Sequence, residues 1–157
     1  APGLRPTPDR VRETLFNWLG QKLDGLACLD LFAGSGILGF EAASRGADYV
    51  ALVEHSRPAF AALKKHAEGF ACPRLELFCC DALKFAPPPG RRFDVLFLDP
   101  PYGQGWLDRI ESRLEQLAAP RARLYAEAEV PLEKLGNWTV TRQGRAGQVF
   151  FHLLEQA

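Results

Sequence analysis

Apolar residues run along this chain in short blocks, each closed by an acid or a glycine, with amphipathic stretches between them. Behind Thr7-Pro8, an N-cap followed by proline at a first helical position, Val11, Leu15, Trp18 and Leu19 fall on one helical stripe. That stripe stops among residues 20–25. Residues 27–33 (ACLDLFA) then read as a buried strand, followed by a glycine turn and a helix over 37–45 with Gly46 as its stop. The pattern repeats: a strand over 49–54, a helix over 58–70, a strand over 75–80, a proline-rich loop over 86–90 and a strand over 93–98. A helix over 106–117 and a fifth strand over 123–127 follow. The tail changes character, because 138–142 and 148–154 are strand-like runs joined by a glycine-containing connection over 143–147. Alternating strands and helices predict an α/β fold with a doubly wound, mostly parallel sheet. The expectation is seven strands with helices on both faces and a C-terminal antiparallel hairpin. Neither a repeat nor a linker interrupts the pattern, so one domain is expected over 1–157.

Composition narrows the class. At 157 residues, 47% hydrophobic and 24% charged, the chain has enough apolar surface for one core and too much for wholesale disorder. Its apolar runs are far shorter than the roughly 20 residues a membrane helix needs, and no secretory or transit signal is apparent. No membrane partner is expected. The 19 basic and 19 acidic side chains cancel, which argues against a surface that is cationic throughout but leaves local patches open. Cys28, Cys72, Cys79 and Cys80 form no CxxC pair, and three of them lie in apolar runs. They read as reduced thiols of a cytoplasmic protein, and His55, His66 and His152 are too scattered for a metal site. No metal is expected.

The chemistry sits at the strand ends. Gly34, Gly36 and Gly39 spell GxGxxG between a strand and a helix, where glycine lets backbone approach a ligand and the helix start offers free N–H groups. The motif is shared with dinucleotide enzymes, and glycines there also serve plain strand–helix packing. The missing GK[ST] after the turn argues against a P-loop nucleotide hydrolase. Asp30 precedes the turn, Glu54 ends the second strand 24 residues later, and Asp81 follows the third. A carboxylate beside the turn repels a pyrophosphate and attracts a cation. S-adenosylmethionine, with its ammonium, sulfonium and ribose and no phosphate, fits that arrangement better than NAD.

Asp99-Pro100-Pro101-Tyr102 closes the fourth strand. The exocyclic amine of a nucleobase is a poor nucleophile because its lone pair is delocalised into the ring. The Asp99 carboxylate and the Pro100 carbonyl could accept both amine hydrogens, with the prolines holding them fixed and Tyr102 offering a stacking face to a flipped-out base. The competing reading is a rigid strand-to-helix turn.

Asp30-Leu-Phe-Ala-Gly-Ser-Gly36 and Asp99-Pro-Pro-Tyr102 resemble class I S-adenosylmethionine-dependent amine methyltransferases, and so the Rossmann-like methyltransferase fold. Residues 5–19 (RPTPDRVRETLFNWL) and 29–47 resemble, more narrowly, the RsmD-type family, the guanine-N2 methyltransferases of bacterial 16S ribosomal RNA. The resemblance implies that Asp30, Phe32, Ala33, Gly34, Ser35 and Gly36 hold the methionine portion, Glu54 the ribose, and Asp81 and Ala82 the adenine. It implies that Arg5 and Thr7 close over the cofactor, with His55 lining its pocket, and that S-adenosylhomocysteine is the product. The implied partner is 16S rRNA in a partly assembled small ribosomal subunit, bound by a monomer. Four residues precede Arg5, where the family carries a longer basic segment, so a chain lacking that segment is expected. Arginine supplies 14 of the 19 basic side chains. Arg10, Arg12, Arg91 and Arg92 are candidate RNA contacts, with Arg142 and Arg145 of the tail hairpin behind them. Three alternatives differ in chemistry: an adenine-N6 type enzyme, a non-catalytic cofactor-binding assembly factor and an NAD-dependent dehydrogenase. No target-recognition domain and no dehydrogenase constellation supports the first or the last.

Overall fold

A computed structural model describes residues 8–70, 72 and 74–156. All strands among them join one eight-stranded sheet in the order β3-β2-β1-β4-β5-β8-β7-β6. The parallel part is β1 (Ala27–Asp30), β2 (Tyr49–Glu54), β3 (Leu75–Cys79), β4 (Phe93–Leu98) and β5 (Ala118–Ala128). The antiparallel part is β6 (Lys134–Leu135), β7 (Trp138–Ala146) and β8 (Val149–Gln156). The sheet therefore has eight strands and not the expected seven. The additional strand, β6, is two residues long and turns straight back through Gly136-Asn137, too short to leave a periodic signature.

Strand alternation builds two cores. Ala27, Leu29, Ala51, Val53, Leu96, Leu98, Leu124 and Ala126 point to one face, where they meet Ile110 of α4 (Trp106–Ile110) and Leu114 and Leu117 of α5 (Leu114–Leu117). Cys28, Val50, Leu52, Val95, Phe97 and Tyr125 point to the other. There they meet α1 (Asp9–Leu19), α2 (Ile37–Ser44) and α3 (Arg57–Phe70) through Leu15, Phe16, Leu38, Phe40 and Leu63. Helices thus cover both faces.

Several expected elements change shape. The helix expected over 106–117 is broken by a 3-10 turn (Glu111–Arg113). There Arg113 reaches across to donate to the carbonyls of Ala82 at 3.0 Å and Phe85 at 2.6 Å. The hairpin connection expected over 143–147 is strand to Ala146, with Ala146 paired to Val149 around Gly147-Gln148. Gly144 is a strand glycine because the Phe151 ring lies across it: a Cβ there would sit 2.3 Å from that ring. β3 is an edge strand, which leaves Cys79 exposed and Cys80 half-buried; of the four free thiols only Cys28 is core, its pKa pushed up to about 12 by burial.

Candidate active site

The carboxyl ends of the parallel strands define the site. In the order β3-β2-β1-β4-β5 the winding reverses between β1 and β4, the position where open α/β sheets leave a crevice for ligands. Asp30 ends β1 and Asp99 follows β4, so the two residues flank that switch point.

Asp30 is 2% exposed, with Phe32 N–H donating to its Oδ1 at 3.3 Å. Burial raises its pKa to about 7; the hydrogen bonds from the Phe32 and Gly39 backbone oppose the rise, and the charges of Glu54 and Glu127 add to it. Glu54, also buried, is held at both oxygens: Gly34 N–H donates to Oε1 and Ser56 N–H to Oε2, each at 2.8 Å. A carboxylate has about four acceptor sites, so two remain for a ligand and the backbone bonds fix their direction. The same geometry disfavours a phosphate, because the glycine-turn amide that would cradle one already donates to a carboxylate.

The three glycines divide the work. Gly34 supplies the amide, and Gly36 starts α2 at φ 83°, where a Cβ would strike Phe40 and Leu63. Gly39 is a packing glycine: a Cβ there would lie 2.0 Å from Leu52. Of the other turn residues Ala33 is buried, Phe32 half-buried and Ser35 exposed. Asp81, past the end of β3, accepts Leu83 N–H at 2.8 Å and so closes a tight turn that carries buried Ala82. Arg113, which the sequence did not mark, pins that turn from the opposite element.

Asp99 is half-buried, Pro100 buried, and Pro101 and Tyr102 half-buried, in a loop that Gly103 and Gly105 end at positive φ. Trp106 packs edge-on against Phe32 with ring centroids 5.3 Å apart, so an aromatic wall links the glycine turn to the Asp99 loop. The next strand adds residues absent from the expected set. Tyr125 and Glu127 of β5 are buried on the same side of the sheet as Asp30, and the Tyr125 hydroxyl donates to Glu127 Oε2 at 2.5 Å. Burial, then Glu127, Asp99 and Tyr102 push the Tyr125 pKa well up. A sequence signal existed, since the fifth strand ends in a carboxylate just as the first two do.

The expected RNA contacts scatter. Arg5 and Thr7, expected to close over the cofactor and not to touch RNA, lie outside the described residues. Arg10 is exposed, whereas Arg12 pairs with Asp9 at 3.1 Å and Glu41 at 3.6 Å. Arg91 and Arg92 precede β4, at the opposite end of the sheet and about 20 Å of strand from Asp99. There Arg91 stacks on Tyr49 at 4.2 Å, and Arg92 donates to the carbonyls of Glu115 and Ala118. Arg145 lies at the other end. Leu98 pairs with Ala126, Glu127 with Phe151 and Phe151 with Gly144, which sets Arg145 at the crevice end, three strands or about 15 Å from Asp99. His55 is exposed on the loop after β2.

Residues 1–155 match the family described as Conserved hypothetical protein 95. Ribosomal RNA small subunit methyltransferase D of Escherichia coli strain K12 is 39% identical over 161 residues, spanning 99% of this chain and 81% of the relative. The protein of the same name from Haemophilus influenzae is 40% identical, spanning 98% and 83%. A solved Escherichia coli chain, 38% identical, superimposes with a TM-score of 0.87 over 99% of this chain and 89% of its own. An RNA methyltransferase from Salinibacter ruber solved with S-adenosyl-L-homocysteine shares the fold at 15% identity, with a TM-score of 0.76 over 97% and 94%. By match length and identity, the chain belongs to the Conserved hypothetical protein 95 family, the RsmD-type group that residues 5–19 and 29–47 resemble.

Proposed function

We propose that this chain transfers a methyl group from S-adenosylmethionine to the exocyclic N2 amine of a guanine in 16S ribosomal RNA, on a partly assembled small subunit. The observation that carries the reading is the Asp99-Pro-Pro-Tyr102 loop at the switch point, beside a glycine turn whose amide is committed to Glu54. Two RsmD-type relatives bear the name of a small-subunit ribosomal RNA methyltransferase, which supplies the substrate class.

The donor set fits the cofactor: buried carboxylates suit an ammonium and ribose hydroxyls and repel a phosphate. When bound, S-adenosylmethionine supplies an electrophilic methyl on a sulfonium. Asp30 and the turn through Gly36 hold its amino-acid end, Glu54 accepts from ribose hydroxyls, and the Asp81-Ala82 turn borders the base. At the acceptor, Asp99 and the Pro100 carbonyl would accept hydrogen bonds from the two amine N–H groups and turn the nitrogen lone pair toward the methyl, while Tyr102 would stack on the guanine. The N–C bond forms as the C–S bond breaks, sulfur keeps the bonding electron pair, and the surplus proton on nitrogen leaves to water.

Asp99→Ala and Glu54→Ala separate the two halves of the site. Asp99→Ala should abolish methyl transfer and leave S-adenosylmethionine affinity within a few-fold, whereas Glu54→Ala should weaken that affinity in calorimetry. Unchanged turnover in the first variant, or unchanged affinity in the second, removes the corresponding assignment.

A further inference from the structure

Glu127 is a carboxylate only 4% exposed, on a strand whose flanking residues, Ala126 and Ala128, are buried and apolar and project to the opposite face. Burying a charge is costly unless its environment is arranged for it, and here Tyr125, itself fully buried, donates to it at 2.5 Å. Side chains two apart on a strand share a face, so Tyr125 and Glu127 project to the side that carries Asp30 and Glu54. The pairing of Leu98 with Ala126 brings the next residues, Asp99 and Glu127, alongside each other at the crevice. In the order β1-β4-β5, Glu127 lies beyond Asp99, on the side away from Asp30.

Resting on the methyl-transfer reading above, we propose that Glu127, fixed by Tyr125, is a positioning residue for the acceptor half of the reaction. As the N–C bond forms and the C–S bond breaks, positive charge leaves the sulfur and develops on the acceptor nitrogen. A fixed negative charge behind Asp99 favours that redistribution, because it stabilises the transition state more than the bound ground state. Glu127 therefore acts on turnover and on acceptor placement, while Asp30 and Glu54 act on cofactor affinity.

The test measures S-adenosylmethionine affinity by calorimetry and methyl transfer to small-subunit particles for wild type, Glu127→Gln, Glu127→Asp and Tyr125→Phe. Gln keeps an acceptor for the Tyr125 hydroxyl and removes the charge. The expected result is a fall in kcat of about tenfold or more, with cofactor Kd within about threefold of wild type and with Glu127→Asp recovering part of the rate. Wild-type kcat in Glu127→Gln, or a loss confined to cofactor Kd, overturns the proposal while methyl transfer by the wild type stands. A wild-type chain that neither binds the cofactor nor methylates the particles overturns the underlying reading and this inference with it. Thermal unfolding checks that each variant folds. If Glu127→Gln does not, Tyr125→Phe decides: a several-fold lower kcat at unchanged cofactor Kd supports the proposal, and an unchanged kcat overturns it.

Discussion

Asp30 ties stability to pH and, in the proposed reaction, to cofactor binding as well. Its pKa, about 7 in the fold against 3.8 ordinarily, means that the folded protein retains a proton that the unfolded chain releases. The raised value gives a stability contribution that is full below about pH 4 and lost as pH rises through about 7. Binding an ammonium runs the other way, because only the ionised carboxylate attracts it. Affinity for S-adenosylmethionine should therefore weaken as pH falls from about 7.5 to 5.5, and Asp30→Asn should flatten that dependence; an equally steep profile in the variant contradicts the assignment. Gly39→Ala drives a methyl into Leu52 and should cost about 1–3 kcal/mol in urea unfolding, with any loss of cofactor affinity following stability. The placing of Asp30, Glu54 and Asp99 at strand ends around the crevice was legible from sequence because each closes an apolar run. Glu127 was not, although it obeys the same rule, because only its hydrogen bond from Tyr125 and its burial distinguish it from a strand-edge charge.

Among the elements, β2 and β4 have their expected bounds, since interior parallel strands are continuous apolar runs closed by charges. β5 is longer than expected. Its regular pairing starts at Arg123 where the apolar run does, and residues before it bulge against β4, with Arg121 at φ 67°. The break between α4 and α5 was hidden because apolar spacing continues through it, and the long-range contacts of Arg113 decide it. Arg113→Ala removes two hydrogen bonds from the Ala82–Phe85 turn and should weaken cofactor binding several-fold with methyl transfer at saturating cofactor nearly unchanged; calorimetry showing wild-type affinity contradicts it. The β7–β8 hairpin carries Arg142 and Arg145. Because it sets Arg145 at the crevice end while Arg91 and Arg92 occupy the opposite end, Arg142→Ala with Arg145→Ala should reduce RNA affinity and its salt dependence more than Arg91→Ala with Arg92→Ala. Equal losses in a titration against salt contradict that placement.

Across the whole molecule, equal numbers of acids and bases conceal a separation. Carboxylates gather at the carboxyl ends of β1, β2 and β5, and arginines spread over helices, loops and the hairpin. A neutral sum is thus compatible with an acidic cofactor crevice and local basic arms. One interior group links the halves of the sheet. His152 of β8, fully buried, donates from Nδ1 to the Ala126 carbonyl at 2.9 Å and accepts Leu132 N–H at Nε2 at 3.0 Å. That arrangement needs the neutral ring, and burial lowers its pKa below 6.5. Its stability contribution is present above about pH 6.5 and is lost as pH falls toward the lowered value, opposite in sign to Asp30. His152→Gln should therefore destabilise the fold at about pH 7.5 by about 1–3 kcal/mol and lose less against wild type as the pH is lowered.

The proposed reaction aligns a sulfonium methyl with the N2 amine of guanine in the crevice between β1 and β4. Its most direct measurement is the transfer of labelled methyl from S-adenosylmethionine to small-subunit particles, followed by nucleoside separation of the recovered 16S RNA, for wild type and Asp99→Ala. Label in N2-methylguanosine with the wild type, and none with Asp99→Ala, is the predicted result. Label in methylated adenosine or in protein, or equal label from the two enzymes, contradicts it.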